Sequence, residues 1–361
     1  MNTLAYKKNV DAVLERLRLF LDERAQDRIF AMCDTPNRVL SDYLGIHPEG
    51  FCLYPDPEER IAFWDAFLRE RMAVDDDSVP GAYLSEFDQG LYGGLVGGKV
   101  QFMCHDNGWI SSMVSPILSD WSEFDSLAYD DSHPWFQQYI RQMDIFTRGS
   151  RDKFGISHFI LIDGLNFAFE LIGATRTYES LLECPENVRK AVDFAYDLNV
   201  KVQETFFDHV SMFRNGTFSN MVQWIPGLIV SESVDPFHMT SPDYFEAWGR
   251  ANIERMFAHF DGGVLHIHGN GRHLFESIRS IKGLKAVFLG DDTGYPPAFE
   301  VLGDIKQRMG DIPLVAMAEY QDFSDKLERR ELPGGVFYWI MNTPDADTAN
   351  RLMEKVRSYR V

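Results

Sequence analysis

The sequence has little of what marks secreted, membrane-spanning or nucleic-acid-binding proteins. Its 4 cysteines stand far apart, at positions 33, 52, 104 and 184, and no two form a CxxC pair. This spacing predicts a reduced intracellular protein without a disulfide framework. No apolar run reaches about 18 residues, and the N-terminal segment is not typical of a signal peptide, so we expect no transmembrane helix and a cytoplasmic location.

Positive charge is also scarce. The chain has 35 basic and 55 acidic residues, a formal net charge of -20. Binding to nucleic acid or to an acidic membrane surface requires the opposite sign, so we expect neither as a partner. A small-molecule substrate is the expected partner, and a homodimer stays an open alternative.

Apolar material is plentiful. Hydrophobic residues make up 45% and aromatic residues 14% of 361 residues, enough for one large α/β core. The C-terminal half alternates apolar runs with amphipathic segments, which predicts parallel strands covered by helices. The predicted strands of that half are Val264–His268, Leu284–Leu289, Leu314–Ala318 and Val336–Met341.

A doubly wound sheet and a closed (β/α)₈ barrel both satisfy this alternation. Polar residues follow the strands, and barrel loops bring such residues to one mouth, so the barrel is the preferred fold. We predict a single domain over 1–361, with residues 1–25 as a helical extension and 26–361 as the barrel. Asn2–Glu23 is expected to be a helix packed outside the barrel or across one end.

The N-terminal half is less regular. Arg28–Cys33 and Phe159–Ile162 are predicted strands ending at Asp34 and Asp163. Residues 93–100 resemble a phosphate-binding loop but precede a strand and lack the final hydroxyl residue, so a tight glycine-rich turn is expected. The acidic run at 75–77 is interpreted as a solvated loop.

His266 and His268 form the sharpest motif. Side chains at i and i+2 of a strand share a face, and at a barrel strand end that face is the catalytic mouth. Two imidazoles there could bind zinc, with a carboxylate or thiolate completing the set. Glu232 is the preferred third ligand; Asp291, Asp292, Glu319 and Cys33 are the other candidates. The alternative is a histidine pair that only hydrogen-bonds to its neighbours.

Other polar residues at strand ends are candidates for catalysis and substrate binding. Asp34, Asp291 and His266 are the predicted catalytic residues, since paired carboxylates and imidazoles can transfer protons. Turn capping is the alternative for the aspartates. The predicted substrate-binding residues are Asp163, Trp224, Tyr295 and Asn342.

One segment suggests a family. Residues 261–271, Asp-Gly-Gly-Val-Leu-His-Ile-His-Gly-Asn-Gly, followed by a helix and Ile281-Lys282-Gly283-Leu284, resemble the uroporphyrinogen decarboxylase superfamily. So do Glu232, Asp235 and Thr240-Ser241-Pro242 upstream. That superfamily includes cobalamin-dependent methyltransferases acting on coenzyme M. The resemblance implies a (β/α)₈ barrel, a zinc site and a corrinoid cofactor carried by a partner protein.

The sequence departs from the family pattern at two places. Residues 30–38 lack the paired arginines that hold porphyrinogen carboxylates, and Asp34 alone matches the catalytic aspartate. His268 stands where the methyltransferases have a zinc-binding cysteine, and residues 336–342 lack the second one. The resemblance therefore favours a divergent member without a thiolate-rich metal site.

Three functions remain in competition. The first is a methyltransferase-like enzyme with a metal and a corrinoid partner at the barrel mouth. The second is a decarboxylase of a tetrapyrrole or another carboxylic acid, in which Asp34 or Asp291 stabilises a protonated intermediate without metal. The third is a non-catalytic barrel that binds a small ligand.

Overall fold

The computed structural model describes residues 3–22 and 25–361, and shows an α/β fold with a parallel sheet and many helices. The strands are β1 Ile29–Cys33, β2 Gly50–Cys52, β3 Gly81–Tyr83, β4 Val100–Cys104, β5 Ile110–Val114, β6 Gly155–Ser157, β7 Gly216–Ser219, β8 Gln223–Pro226, β9 Val230–Ser233, β10 Gly263–Ile267, β11 Leu284–Leu289, β12 Leu314–Glu319 and β13 Val336–Met341.

Helices cover the strands. They are α1 Val10–Leu21, α2 Arg38–Ile46, α3 Pro57–Glu70, α4 Gly90–Leu95, α5 Pro134–Ser150, α6 Gly164–Ile172, α7 Ala174–Glu183, α8 Pro185–His209, α9 Pro242–Trp248, α10 Arg250–His259, α11 Phe275–Ile278, α12 Leu302–Met309, α13 Tyr320–Arg329 and α14 Ala346–Ser358. Within the described residues, none of these helices is long and apolar enough to cross a membrane.

The main sheet has six parallel strands in the order β1-β13-β12-β11-β10-β9. A second sheet has the order β3-β6-β7-β8, parallel except for the β7–β8 hairpin, and β2-β4-β5 form a small antiparallel sheet. The sequence alternation therefore predicted the parallel strands of the C-terminal half correctly. The strand ladders of the described residues form separate sheets and do not close into the predicted eight-stranded barrel.

Helix α1 closes the lower end of the main sheet. Its apolar stripe, which includes Leu14, Leu17 and Phe20, packs against inward-facing residues such as Phe30 and Phe337. The ring of Phe20 lies 5.4 Å from Phe30 and 5.8 Å from Phe337. The predicted helix is thus present over Val10–Leu21, across one end of the sheet, while Asn2 and Glu23 lie outside the described residues.

The acidic run at 75–77 is not the predicted solvated loop. Asp76 and Asp77 are fully buried beside β1 and accept hydrogen bonds from the backbone N–H groups of Cys33 and Ala31. Asp76 pairs with Lys7 at 3.0 Å and with Arg71 at 3.2 Å, and Asp77 pairs with Arg16. Lys7, Arg16 and the backbone of β1 lie far away in sequence, so the run alone could not reveal the burial.

The glycine-rich segment at 90–98 also differs from the expected turn. Gly90–Leu95 forms a short buried helix, and Gly97 continues the chain at a left-handed φ of 98°. A Cβ at Gly93 would lie 2.3 Å from Val114 and 2.5 Å from Glu170, so close packing requires glycine there. The segment thus packs inside the fold as a buried helix, which agrees with the expectation from the sequence that it is not a phosphate-binding loop.

Candidate active site

A cavity of about 430 Å³ lies at the C-terminal ends of the main strands. Successive side chains of a strand point to opposite faces, so the inward-facing side chains of the sheet form layers, one below the cavity and one lining it. In the lower layer, inward side chains such as Val264 and Phe337 are fully buried against α1 and the β7–β8 hairpin. Two residues further along β10 to β13, the inward side chains are only half-buried because they face the cavity: His266, Phe288, Met317 and Trp339. On the β1 side, the buried Met32 and the half-buried Asp34 line the cavity.

The two histidines singled out in the sequence both line this cavity. His266 ends β10 and His268 follows it, and their ring centres lie 4.3 Å apart. Gly290, after the adjacent strand β11, leaves room for both rings. A Cβ there would lie 2.9 Å from His266 Nε2 and 3.2 Å from His268 Nδ1. The expected common face of the pair is therefore present.

Asp235, in the turn after β9, completes a group of three potential metal ligands. One ligand atom each from Asp235, His266 and His268 lies within 4.8 Å of the others, the only such cluster in residues 3–22 and 25–361. Asp235 Oδ1 is buried without a hydrogen-bond partner there. A buried carboxylate oxygen without a hydrogen bond is costly, and a cation held between the three ligand atoms would satisfy it.

Glu232, the predicted third ligand, does not join this group. Ser233 stands opposite His266 in the β9–β10 register, so Glu232 stands opposite Leu265 and faces away from the cavity. It is buried on the helix side, where burial and the nearby Asp163 raise the pKa of its carboxyl well above the usual value. Glu232 is thus not among the potential ligands that converge on the histidine pair.

Burial changes the pKa of two imidazoles in this region, His266 and the nearby His238. Burial, and then the neighbouring His268 and His238, lower the pKa of His266 to about 3. Burial and His268 lower the pKa of His238 to about 4. His266 is therefore neutral at pH 7, which is the form that binds a metal.

Asp292 positions His268. Its Oδ1 lies 2.9 Å from His268 Nδ1, although without the angle of a good hydrogen bond, and its Oδ2 accepts from the Asn270 N–H. Burial alone would raise the pKa of Asp292, but that N–H and His268 hold it below its usual value. A carboxylate beside a metal-binding histidine commonly fixes the ring orientation.

Asp34 and Asp291 also lie on the cavity wall. Burial raises the pKa of Asp34, partly offset by Arg71, whose Nη1 lies 3.7 Å from Asp34 Oδ1. Asp291 accepts a hydrogen bond from the Ala298 N–H at 2.7 Å and lies 3.5 Å from Arg272. All three predicted catalytic residues, Asp34, Asp291 and His266, therefore line the cavity.

The four predicted substrate-binding residues do not line this cavity. Asp163 caps α6 by accepting from the N–H groups of Leu165 and Asn166, and Trp224 is fully buried. Tyr295 is 49% exposed beyond the histidine pair, and Asn342 donates to Glu319 at 2.8 Å. Their roles in substrate binding stay predictions, without support from this cavity.

Sequence reasoning left several cavity residues unassigned. Arg71, Trp109 and Trp339 line the cavity, and Asp235 belongs to the potential metal ligands. Asp235 stood within the segment that carried the family resemblance, but nothing in its spacing assigned it to the histidine pair. Trp339 could have been found from its period-2 position, two residues past the buried Phe337.

The fold has a counterpart among solved structures. The chain is similar to a methyltransferase from Methanosarcina mazei, with a TM-score of 0.62 at 12% identity, over 98% of this chain and 99% of that chain. No protein-family model and no curated protein matches the sequence. The similarity establishes a methyltransferase-like α/β fold.

Proposed function

We propose that this protein is a methyltransferase-like enzyme in which Asp235, His266 and His268 hold a metal ion at the wall of the substrate cavity. The observation that carries the proposal is the convergence of two imidazoles of the cavity wall with the carboxylate of Asp235, whose buried Oδ1 accepts no hydrogen bond. The similarity of the fold to a methyltransferase supports the reaction class, not the substrate.

The three residues fit zinc. Two histidines and one carboxylate are a common catalytic zinc set that leaves a fourth position open. The neutral His266 imidazole, the Asp235 Oδ1 that accepts no hydrogen bond and the space left by Gly290 all suit an ion at this place. The absence of cysteine from the group makes the site a nitrogen and oxygen one, unlike the thiolate-containing zinc sites of the resembled family.

A bound zinc ion would lower the pKa of a nucleophile in its open position. The residues of the chain have separate tasks. Asp292 orients the His268 ring, and the apolar wall, which includes Phe288 and Trp339, excludes water. Asp291 is the proposed acid–base group of the cavity in this function.

A corrinoid carried by a partner protein is the proposed methyl donor or acceptor. A cavity of about 430 Å³ has the size that suits a drug-like small molecule. In this proposal the cavity holds the small substrate, and the partner presents its cofactor at the mouth.

We also propose that the strands form a closed (β/α)₈ barrel in a single domain. Hydrogen bonds from the segments beside β3 and β6 to the two edge strands of the main sheet, β1 and β9, support it. Asp77 N–H donates to Ala31 O at 2.9 Å, and Leu161 N–H donates to Ser231 O at 2.8 Å. One apolar core contains residues from Ile29 to Tyr359, as a single domain would.

A decarboxylase is the second candidate, because Asp34 is a half-buried carboxyl with a raised pKa on the cavity wall. Such a group can donate a proton to a carbanion-like centre. A porphyrinogen fits poorly, since the cations of the wall, Lys7 and Arg71, already pair with Asp76. A smaller carboxylic acid is the remaining substrate of this type.

Metal titration tests the leading proposal. Protein stripped with a chelator should bind zinc, and His266→Ala or Asp235→Asn should weaken binding by more than the roughly 10–100-fold cost of losing an outer-shell partner. His259→Ala, on the exposed side of α10, should bind like the parent. Demethylation of methylcobalamin in the presence of a thiol should require the metal.

Equal zinc affinity in His266→Ala and the parent would refute the metal site. Carbon dioxide release from a small carboxylic acid without metal would favour the decarboxylase. Ligand binding without either reaction would favour the non-catalytic barrel.

A further inference from the structure

The charged side chains on the cavity wall differ in how far they are already paired. Lys7 Nζ donates to Asp76 O at 2.8 Å and to Asp76 Oδ1 at 3.0 Å. Arg71 donates to Cys33 O at 3.1 Å and to Asp76 Oδ2 at 3.2 Å. These two cations are occupied by the buried carboxylate behind the wall, so they offer little to an anionic ligand.

The carboxylate of Asp34, in contrast to the cations of Lys7 and Arg71, is not held by hydrogen bonds to the described residues. Within residues 3–22 and 25–361, its carboxylate accepts no hydrogen bond, and its nearest cation is Arg71 at 3.7 Å. Its side chain remains 41% exposed although the residue stands inside the cavity. Asp291, by contrast, accepts from Ala298 and faces Arg272. The Asp34 carboxylate thus has one long ion pair and no hydrogen bond among these residues, so its oxygens can accept a hydrogen bond from a ligand.

The surroundings of Asp34 are apolar and aromatic. Trp339, on the adjacent strand β13, stands opposite Met32, two residues before Asp34. Its ring lies 6.2 Å from Phe288, and Phe288 lies 5.6 Å from His266. Trp109 and Phe63 also line the cavity. Aromatic faces beside a carboxylate are the combination that binds ammonium groups.

We propose that the cavity takes a substrate with an apolar body and a positively charged nitrogen, a protonated or quaternary amine, which Asp34 binds. The inference rests on the proposed function, since it names the substrate class of that site. The net charge of -20 acts in the same direction, because an acidic protein attracts cations and repels anions.

The strand order places the nitrogen and the metal ligands at opposite sides of the cavity. Asp34 follows β1, His266 ends β10, and β13, β12 and β11 lie between them. Four strand spacings of about 4.8 Å give roughly 19 Å along the sheet, and less across the cavity. A substrate held at Asp34 by its charged nitrogen can therefore direct its far end to the histidine pair.

Three ligands of similar size test the inference on chelator-treated protein, so that the result does not depend on a metal. They are phenyltrimethylammonium, its neutral isostere tert-butylbenzene, and the anion benzoate, each measured by quenching of tryptophan fluorescence and by calorimetry. We expect the cation to bind at least 10-fold more tightly than the neutral isostere, and benzoate to bind most weakly.

Asp34→Asn removes the charge and keeps the shape. It should weaken binding of the cation about 10-fold and leave the neutral isostere within 2-fold, which also confirms that the variant is folded. Asp304→Asn, an exposed carboxylate on α12, changes the net charge equally and should alter neither affinity. Tighter binding of benzoate than of the cation, or an unchanged cation affinity in Asp34→Asn, would overturn the inference.

The outcome is separable from that of the proposed function. Zinc binding without cation preference leaves the metal centre standing and refutes the substrate class. Cation preference without zinc binding supports the substrate class and refutes the metal centre.

Discussion

At the residue scale, the histidine pair could be predicted because only local geometry was needed. The i, i+2 spacing fixes a common face whatever the strand pairs with. The third ligand needed more: Ser233 pairs with His266, so Ser233 faces inward and Glu232 outward, and Asp235 returns to the pair through a turn. Strand register and turn path depend on the whole fold, so the spacing of carboxylates could not reveal them.

Gly290→Ala tests the histidine pair without removing a ligand. The new methyl group would lie 2.9 Å from His266 Nε2, so the rings must move. We expect zinc affinity to fall about 10–100-fold, as when a positioning partner is lost, and the free energy of unfolding to fall by roughly 1–3 kcal/mol. Zinc titration and urea unfolding measure the two effects.

Gly303→Ala on α12 is the matched control, because a Cβ there meets nothing within 4 Å. It should keep the zinc affinity and gain about 0.5–1 kcal/mol as a helical alanine. A Gly290→Ala protein that binds zinc like the parent would show that the pair is not the metal site.

At the element scale, prediction succeeded where strands are long and failed where they are short. The runs over β10 to β13 gave the correct parallel strands. Phe159–Ile162 was expected to be a strand, yet the ladder forms at Gly155–Ser157 and the later residues are irregular. Three-residue strands contain too little periodicity to be located, and their pairing is decided by neighbouring elements.

Helix α1 should be part of the fold and not a dispensable extension. Leu17→Ala leaves a cavity between α1 and the sheet, since Leu17 is 0% exposed, and should lower the free energy of unfolding by about 2–5 kcal/mol. Leu19→Ala on the same helix, at 40% exposure, should change it by roughly 0.5 kcal/mol or less. Urea unfolding measures both, and equal losses would contradict the packing of α1 across the sheet.

Asp76 joins Lys7 of the N-terminal segment to Cys33 of β1, and this buried contact should determine the stability of the protein in acid. Burial alone would raise the pKa of Asp76, but Lys7, Arg71, Ser78 and the Cys33 N–H bring it down to about 2. A folded-state value below the unfolded one adds stability above pH 4, about 2 kcal/mol, which is lost as the pH falls from about 4 to 2.

Asp76→Asn should remove that acid dependence and cost about 3–5 kcal/mol near neutral pH, because it leaves buried cations unpaired. Asp75→Asn breaks the half-exposed pair with Arg357 at 2.8 Å and should cost roughly 1 kcal/mol or less. Unfolding curves between pH 2 and pH 7 measure both variants. Identical pH profiles for the parent and Asp76→Asn would refute the role of the buried pair.

At the scale of the whole molecule, the acidic composition predicted the absence of polyanion partners but not where the acids lie. Several carboxyl groups are buried without cations near the candidate site. Burial raises the pKa of Asp88 and Asp163 to about 7, and that of Glu170 and Glu232 well above the usual range. The folded protein therefore binds more protons than the unfolded chain between about pH 4 and pH 7.

Stability should consequently fall as the pH rises through this window, because a folded-state pKa above the unfolded value favours folding only while the group stays protonated. For Asp163 alone, a shift from 3.8 to about 7 corresponds to roughly 4 kcal/mol. Asp163→Asn keeps the oxygen that caps α6 and removes the ionisation. It should match the parent near pH 4, exceed it in unfolding free energy at pH 8, and show a shallower pH slope.

Asp163→Ala, which loses the cap, should be about 1 kcal/mol less stable than Asp163→Asn at every pH. Urea unfolding from pH 4 to pH 8 measures the three proteins. A parent-like slope in Asp163→Asn would show that Asp163 is ionised in the folded state. Any pH dependence of stability would then come from the other buried carboxyl groups.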